Sequence, residues 1–198
     1  MKILLKITPK CCSISRSQAR VRLIPPSRPL FKVNFDGVVF NEDRKAGVGV
    51  VIQNCLGKVM ASMTEKCNLP TLVDEVEAMA VVRAVVFAQE LRFSSNILEG
   101  DSKKIMNTFK NDEPAFASYG HLSEEVKFLA ESFVVFSVSH VKRQSNSVAP
   151  NLARYARHIS DLSVWIKSVS SHLNALTLAG FGCLVFDKVT IFLLIKNK

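Results

Sequence analysis

Pro70-Thr-Leu-Val-Asp-Glu-Val-Glu-Ala-Met-Ala-Val-Val-Arg-Ala-Val-Val-Phe-Ala-Gln-Glu-Leu91 decides the fold, because the hydrophobic period of the chain changes there. Val76, Ala80, Ala84, Phe87, Ala88 and Leu91 fall on one helical face, which predicts the longest helix of the chain. Thr71 with Asp74 three residues on has the pattern of an N-terminal cap. Upstream the period is two. In Phe31-Lys-Val-Asn-Phe-Asp-Gly-Val-Val-Phe40 the residues Phe31, Val33 and Phe35 point one way and Lys32, Asn34 and Asp36 the other, a strand with a carboxylate near its end. A polar turn over 41–45, a run over 46–54, a turn at Leu56-Gly57 and a run over 58–66 complete an antiparallel meander.

Downstream of the helix, Asn96-Ile-Leu-Glu-Gly-Asp101 reads as a short strand that ends in a second carboxylate, followed by a helix over 103–109. A loop around Pro114, a helix over 121–133, a strand over 134–140 and a last helix over 148–158 follow. A meander feeding alternating helices and strands predicts one α/β domain with a five-stranded mixed sheet flanked by helices, since parallel strands require crossover connections. Pro25-Pro26-Ser-Arg-Pro29 cannot sustain a helix and sets the start of the folded body near residue 31. The division is a basic extension over 1–30, a domain over 31–167 and an apolar C-terminal extension over 168–198 whose role the sequence does not give.

The charge distribution separates these parts. Lys2, Lys6, Lys10, Arg16, Arg20, Arg22 and Arg28 have no acid among them, so seven of the nine net positive charges lie in residues 1–30. Such a segment attracts phosphate backbones without sequence preference, or serves as an import signal. It is compatible with a mitochondrial or plastid transit peptide and equally with a disordered basic extension of a nuclear or cytoplasmic protein. The five cysteines, Cys11, Cys12, Cys55, Cys67 and Cys183, are odd in number and show no metal-ligand spacing, which argues against a disulfide framework or zinc and for a reducing, intracellular compartment. The most apolar run, 173–195, is interrupted by Asp187 and Lys188, so no transmembrane segment is expected.

Three carboxylates stand at special places: Asp36 on the first strand, Glu77 on the long helix and Asp101 at the end of the fourth strand. In the predicted sheet the first and fourth strands are neighbours and the helix crosses them, so the three can converge. Clustered carboxylates need a cation, and oxygen-only ligands suit Mg²⁺ or Mn²⁺. Two such ions activate water and stabilise the leaving oxygen of a phosphodiester, which points to nucleic-acid hydrolysis. Each acid alone also has an ordinary reading: Asp36-Gly37 as a turn, Glu77 as a solvated helix residue, Asp101 as a helix cap.

Six ordered blocks carry a resemblance: Phe31-Lys-Val-Asn-Phe-Asp-Gly37, Ala46-Gly-Val-Gly-Val-Val-Ile52, Glu75-Val-Glu-Ala-Met-Ala80, Leu98-Glu-Gly-Asp-Ser102, His140-Val-Lys-Arg-Gln-Ser-Asn146 and Leu152-Ala-Arg154. Together they resemble the ribonuclease H type 1 family, in its plant branch related to non-LTR retrotransposon polyproteins, over 31–167. The resemblance implies the ribonuclease H-like fold and an endonuclease, a hydrolase that cuts the RNA strand of an RNA/DNA hybrid with two Mg²⁺ ions, Mn²⁺ being an alternative. It implies Asp36, Glu77 and Asp101 as metal ligands and catalytic residues, Glu75 fitting the helix spacing less well. His140 matches a catalytic histidine that assists proton transfer or product release, a role to which imidazole is suited. Gly37, Ser102, Lys142, Arg143 and Asn146 match the nucleic-acid-binding positions, and a monomer is the expected state.

The family's fourth carboxylate position, four residues beyond Asn146, is Pro150 here. Proline offers no side-chain oxygen but is tolerated in a first helical turn. Asn151 has an oxygen, rotated about 100° around the helix. This departure keeps two further readings open beside the enzyme: a catalytically weak or inactive nucleic-acid-binding module of retrotransposon origin, and a retrotransposon-derived remnant without function. Gly47-Val-Gly49 runs into a strand rather than a helix and is no nucleotide loop.

Overall fold

The computed structural model describes residues 30–72, 75–110 and 120–169, apart from the side chain of Lys110. Within it the order is β1 (Phe31–Phe40), β2 (Lys45–Gln53), β3 (Val59–Asn68), α1 (Glu75–Glu90), β4 (Ser95–Gly100), α2 (Lys103–Lys110), α3 (Gly120–Ala130), β5 (Val135–His140), α4 (Val148–Tyr155) and β6 (Leu162–Ile166). The predicted elements all form, with ends moved by a residue or a few. Asp74 of the expected cap, the Pro114 loop, the basic extension, Cys11, Cys12, Cys183 and the apolar run over 173–195 lie outside the described residues.

The strands make one sheet in the order β5-β4-β1-β2-β3-β6. β1, β2 and β3 are the antiparallel meander, and β4 and β5 run parallel to β1. Asn54 shapes the β2–β3 turn, its Oδ1 accepting the Leu56 and Lys58 amides at 3.0 and 2.9 Å. To the five expected strands the structure adds β6, which pairs antiparallel with β3 from Ala61↔Ile166 to Glu65↔Leu162. It is only five residues long and its pairing depends on where α4 delivers the chain, so no local signal announces it. Packing continues to Val169, which is 5% exposed, and the Ser62 hydroxyl donates to the Ser168 carbonyl at 2.8 Å.

Strand alternation puts a core on each face. Val33, Phe35, Val48, Val50, Ile52 and Met63 meet α1, α2 and α3 in the larger one. Val51 meets Val148, Ala149 and Leu152 of α4 in the smaller one, with Val169. Phe87 on α1 is 1% exposed, a burial that stabilises by about 1.5–3 kcal/mol. The buried face of α1 is wider than the predicted stripe, since Ala78, Val81 and Val85 are covered as well. α3 packs along α1 and covers that side.

Two glycines bring the helices onto the sheet. A Cβ at Gly37 would stand 2.8 Å from the Val76 carbonyl oxygen, so the first turn of α1 rests on β1. A Cβ at Gly49 would overlap the Ala149 carbonyl and the Ala153 amide, so α4 lies directly on β2. Thr64 fastens the same helix by donating its hydroxyl to the Leu152 carbonyl at 2.6 Å.

Candidate active site

β1 and β4 stay paired only as far as Asn34↔Glu99. Beyond that point the two parallel strands part at their C-terminal ends, where open sheets with crossover helices place their ligand crevices. Asp36 stands two residues past the split on β1 and Asp101 two residues past it on β4. Val33 and Phe35 enter the α1-side core, so alternation turns Asn34 and Asp36 toward α4. Glu77 is in the first turn of α1, next to Val76, whose backbone touches Gly37.

The electrostatics of Asp36 tie these acids together. Its carboxyl is pushed up to about 7, first by burial and then by the negative charges of Asp101 and Glu77. Arg154 and Arg143 act in the opposite direction. The structure therefore brings the three sequence-predicted carboxylates into one mutually repelling group. Among the described residues no three His, Cys, Asp or Glu side chains stand close enough to form a finished metal cage.

Asn146 is the hinge of the arrangement. The chain leaves β5, makes a 3-10 turn over Arg143–Ser145 and turns Asn146 inward at 1% exposure. Its Nδ2 donates to the Phe35 carbonyl at 2.9 Å and lies 3.5 Å from Asp101 Oδ1, joining the ends of β1 and β4. Its Oδ1 is buried with no hydrogen-bond partner. His140 closes β5 beside Gly100, exposed, with Nε2 3.2 Å from the Asp101 carbonyl oxygen. Lys142 and Arg143 are exposed next to it and Ser102 is half-buried after Asp101.

Several residues at this site escaped the sequence reading. Glu99 is 8% exposed, accepts from Asn34 Nδ2 at 3.2 Å and pairs with Lys32 at 3.4 Å. That pairing explains why a fourth acid so close to the split adds no free charge. Arg154 closes one of the resemblance blocks but carries no role there, because one arginine on an exposed helix face gives no signal of its own. Pro150 is buried in the first turn of α4, and Asn151 Nδ2 donates to the Ser147 carbonyl at 2.7 Å. An apolar recess of about 200 Å³ between α1 and β2–β3 contains none of these residues. Cys55 and Cys67 are free thiols, and burial first and Glu65 second raise Cys67 to about 11.

A meander, two parallel strands and helices on both faces define the ribonuclease H-like fold, with the acids at the β1/β4 split. The sequence profile of the family described as "Reverse transcriptase-like" matches residues 34–156, and the chain belongs to that family. Ribonuclease H1 from the halophilic archaeon Halobacterium salinarum is similar in structure, with a TM-score of 0.59 at 22% identity over 65% of this chain and 98% of that one. The N-terminal ribonuclease H domain of a Mycobacterium tuberculosis protein gives 0.57 at 19% identity, covering 66% and 94%. The compost-derived LC11 ribonuclease H1, solved in complex with an RNA/DNA hybrid, gives 0.55 at 18% identity, covering 64% and 95%. These likenesses show the fold. No curated protein sequence matches.

Proposed function

We propose that this chain is a divalent-cation-dependent endoribonuclease that hydrolyses the RNA strand of RNA/DNA hybrids, of the type 1 kind found in the plant retrotransposon-related branch. The observation that carries the reading is the grouping of Asp36, Glu77 and Asp101 at the β1/β4 split, with Asp36 raised to about 7 by burial and by the other two. A buried acid with two further carboxylates beside it is an all-oxygen donor set, and such donors suit Mg²⁺ or Mn²⁺. When bound, such an ion would supply Lewis-acid activation of water and would neutralise charge on the phosphate.

The residues of the chain do the rest. Asp36, Glu77 and Asp101 would hold the ion, Asp36 giving up its proton as the positive charge arrives. The exposed Lys142 and Arg143 would grip the hybrid backbone, with Ser102 and the Gly37 amide at the mouth of the split. Asn146 is buried, so its part in binding would be to hold Asp101 and the Phe35 carbonyl in place. In the reaction the water oxygen bonds to phosphorus as the P–O3′ bond breaks. His140 takes one water proton and passes it to solvent, and the 3′-oxygen departs with the electron pair and is protonated by water. The products are a 3′-hydroxyl and a 5′-phosphate.

We place the domain over 31–167, with Ser168 and Val169 still packed on its sheet, 1–30 as a basic extension that adds salt-sensitive affinity, and the residues beyond as an appended segment. Buried Pro150, which offers no oxygen where the family has its fourth carboxylate, favours a second reading, a binding module with little turnover. Labelled hybrid incubated with the full chain in Mg²⁺, Mn²⁺ or chelator separates them. Metal-dependent cleavage of the RNA strand that Asp36→Asn abolishes is expected, and retained hybrid binding without cleavage in any metal would overturn the enzyme reading.

A further inference from the structure

Between β5 and α4 the chain exposes a short basic segment that is fixed at both ends. The Val141 amide donates to the Gly100 carbonyl at 3.0 Å, and Asn146 is buried with its Nδ2 3.5 Å from Asp101 Oδ1. Lys142, Arg143, Gln144 and Ser145 lie between these anchors, and all four are exposed. The Ser145 and Asn146 amides donate to the Lys142 and Arg143 carbonyls at 2.8 and 3.1 Å, closing a single 3-10 turn. Residues three apart eclipse in such a turn, which brings Ser145 over Lys142, and its poor hydrogen-bond geometry makes it easy to open. Among the described residues Ser145 is the one serine or threonine with Lys or Arg at both the third and the second place before it. Ser160, also exposed, has Arg157 at the third place and His158 at the second. An exposed serine behind two adjacent bases suits a kinase with an acidic substrate groove, because charge patterns decide such pairings.

We propose that Ser145 is a phosphorylation site, and that its phosphate closes the neighbouring site to nucleic acid by occupying Lys142 and Arg143. The proposal rests on the reading above of these two bases as hybrid contacts and adds to it the regulation of that site. In the transfer, Ser145 Oγ bonds to the terminal phosphorus of a nucleoside triphosphate as the bond from that phosphorus to the bridging oxygen breaks. The diphosphate leaves with the electron pair, and the hydroxyl proton passes to the kinase's base. A phosphoserine carries about −1.5 to −2 charges at neutral pH, enough to offset the two bases. Its oxygens accept charge-assisted hydrogen bonds from ammonium and guanidinium as a nucleic-acid phosphate does, so the two compete for the same donors.

The first test does not depend on hybrid binding. The full chain is incubated with ATP and the catalytic subunit of cyclic-AMP-dependent protein kinase, a probe that selects adjacent bases at these places, and the phosphate is located by peptide mass spectrometry. Phosphate on Ser145 is expected, with none at that peptide in Ser145→Ala. Labelling of Ser160 or other serines while Ser145 stays unmodified would overturn the site. The second test reads affinity for a labelled RNA/DNA hybrid. Phosphorylation should weaken binding at least about tenfold and flatten the log–log salt slope by about two, as the loss of roughly two phosphate contacts requires. Ser145→Glu should reproduce part of this loss, whereas Ser160→Glu, the same charge on the loop after α4, should not. With Lys142→Ala and Arg143→Ala already in place, Ser145→Glu should cost no more than about twofold, because the cations it would occupy are gone. Equal losses from the two glutamates, or an undiminished loss in that background, would make the effect general repulsion and overturn the pairing. If no variant binds hybrid while Ser145 accepts phosphate, the nuclease reading falls and the modification site stands. Heparin retention of Ser145→Glu against Ser160→Glu then decides the pairing in the same way.

Discussion

Replacing Asp36 by asparagine should stabilise the metal-free protein at pH 8 while it removes activity. The carboxyl is raised from 3.8 to about 7 in the fold, so between these values the folded chain retains a proton that the unfolded chain releases. Stability from this group is therefore greatest below about pH 4, falls as the pH rises, and is lost above about pH 7. A rise of roughly three pH units corresponds to about 4 kcal/mol at most. Solvent access to the partly buried carboxylate reduces this to on the order of 2–4 kcal/mol. An amide of the same shape carries no charge and escapes this cost, so Asp36→Asn should raise Tm by roughly 4–16 °C at pH 8 and by nearly nothing at about pH 3. Urea and thermal unfolding in chelator at both pH values measure it. Millimolar Mg²⁺ should then raise Tm of wild type more than that of the variant. If Asp36→Asn in chelator at pH 8 is no more stable than wild type, the acids do not repel one another and the ligand-set argument fails.

Pro150→Asp should raise hybrid turnover at least about tenfold, about 1.4 kcal/mol, most clearly at low Mg²⁺; unchanged steady-state rates would show that α4 contributes no ligand. Gly49→Ala should destabilise by about 1–3 kcal/mol through overpacking against Ala149 and Ala153, seen in urea unfolding, and a neutral effect would mean that α4 can lift off β2. Asn146→Ala leaves the Phe35 carbonyl without its donor and should cost about 1–3 kcal/mol together with most activity. Asn146→Asp, whose carboxylate donates to neither partner and adds a negative charge beside Asp101, should not rescue it. Deleting residues 1–29 should leave Tm unchanged, weaken hybrid affinity and flatten its dependence on salt; an unchanged slope would assign the basic segment to targeting.

The two periodicities made most of the architecture legible in advance. Period two over Phe31–Phe40 and the helical stripe from Val76 to Ala88 depend only on which residues face a core, and the chain writes that down locally. The acids were legible for a related reason: Asp36, within β1, and Asp101, just after β4, belong to strands that a right-handed crossover must place side by side. Other features had no local signature. β6 is a short run of ordinary residues whose partner is β3, about a hundred residues earlier in the chain. Asn146 read as a nucleic-acid-binding position, yet the 3-10 turn after β5 buries it against the Phe35 carbonyl. Gly47 and Gly49 were set aside as a failed nucleotide loop, while the overlap a Cβ would make at Gly49 shows that α4 needs the bare backbone there. Sequence by itself determined which residues seek the interior and which carry charge. Tertiary structure decided which charges meet, because that depends on how helices pack across strands far apart in the chain.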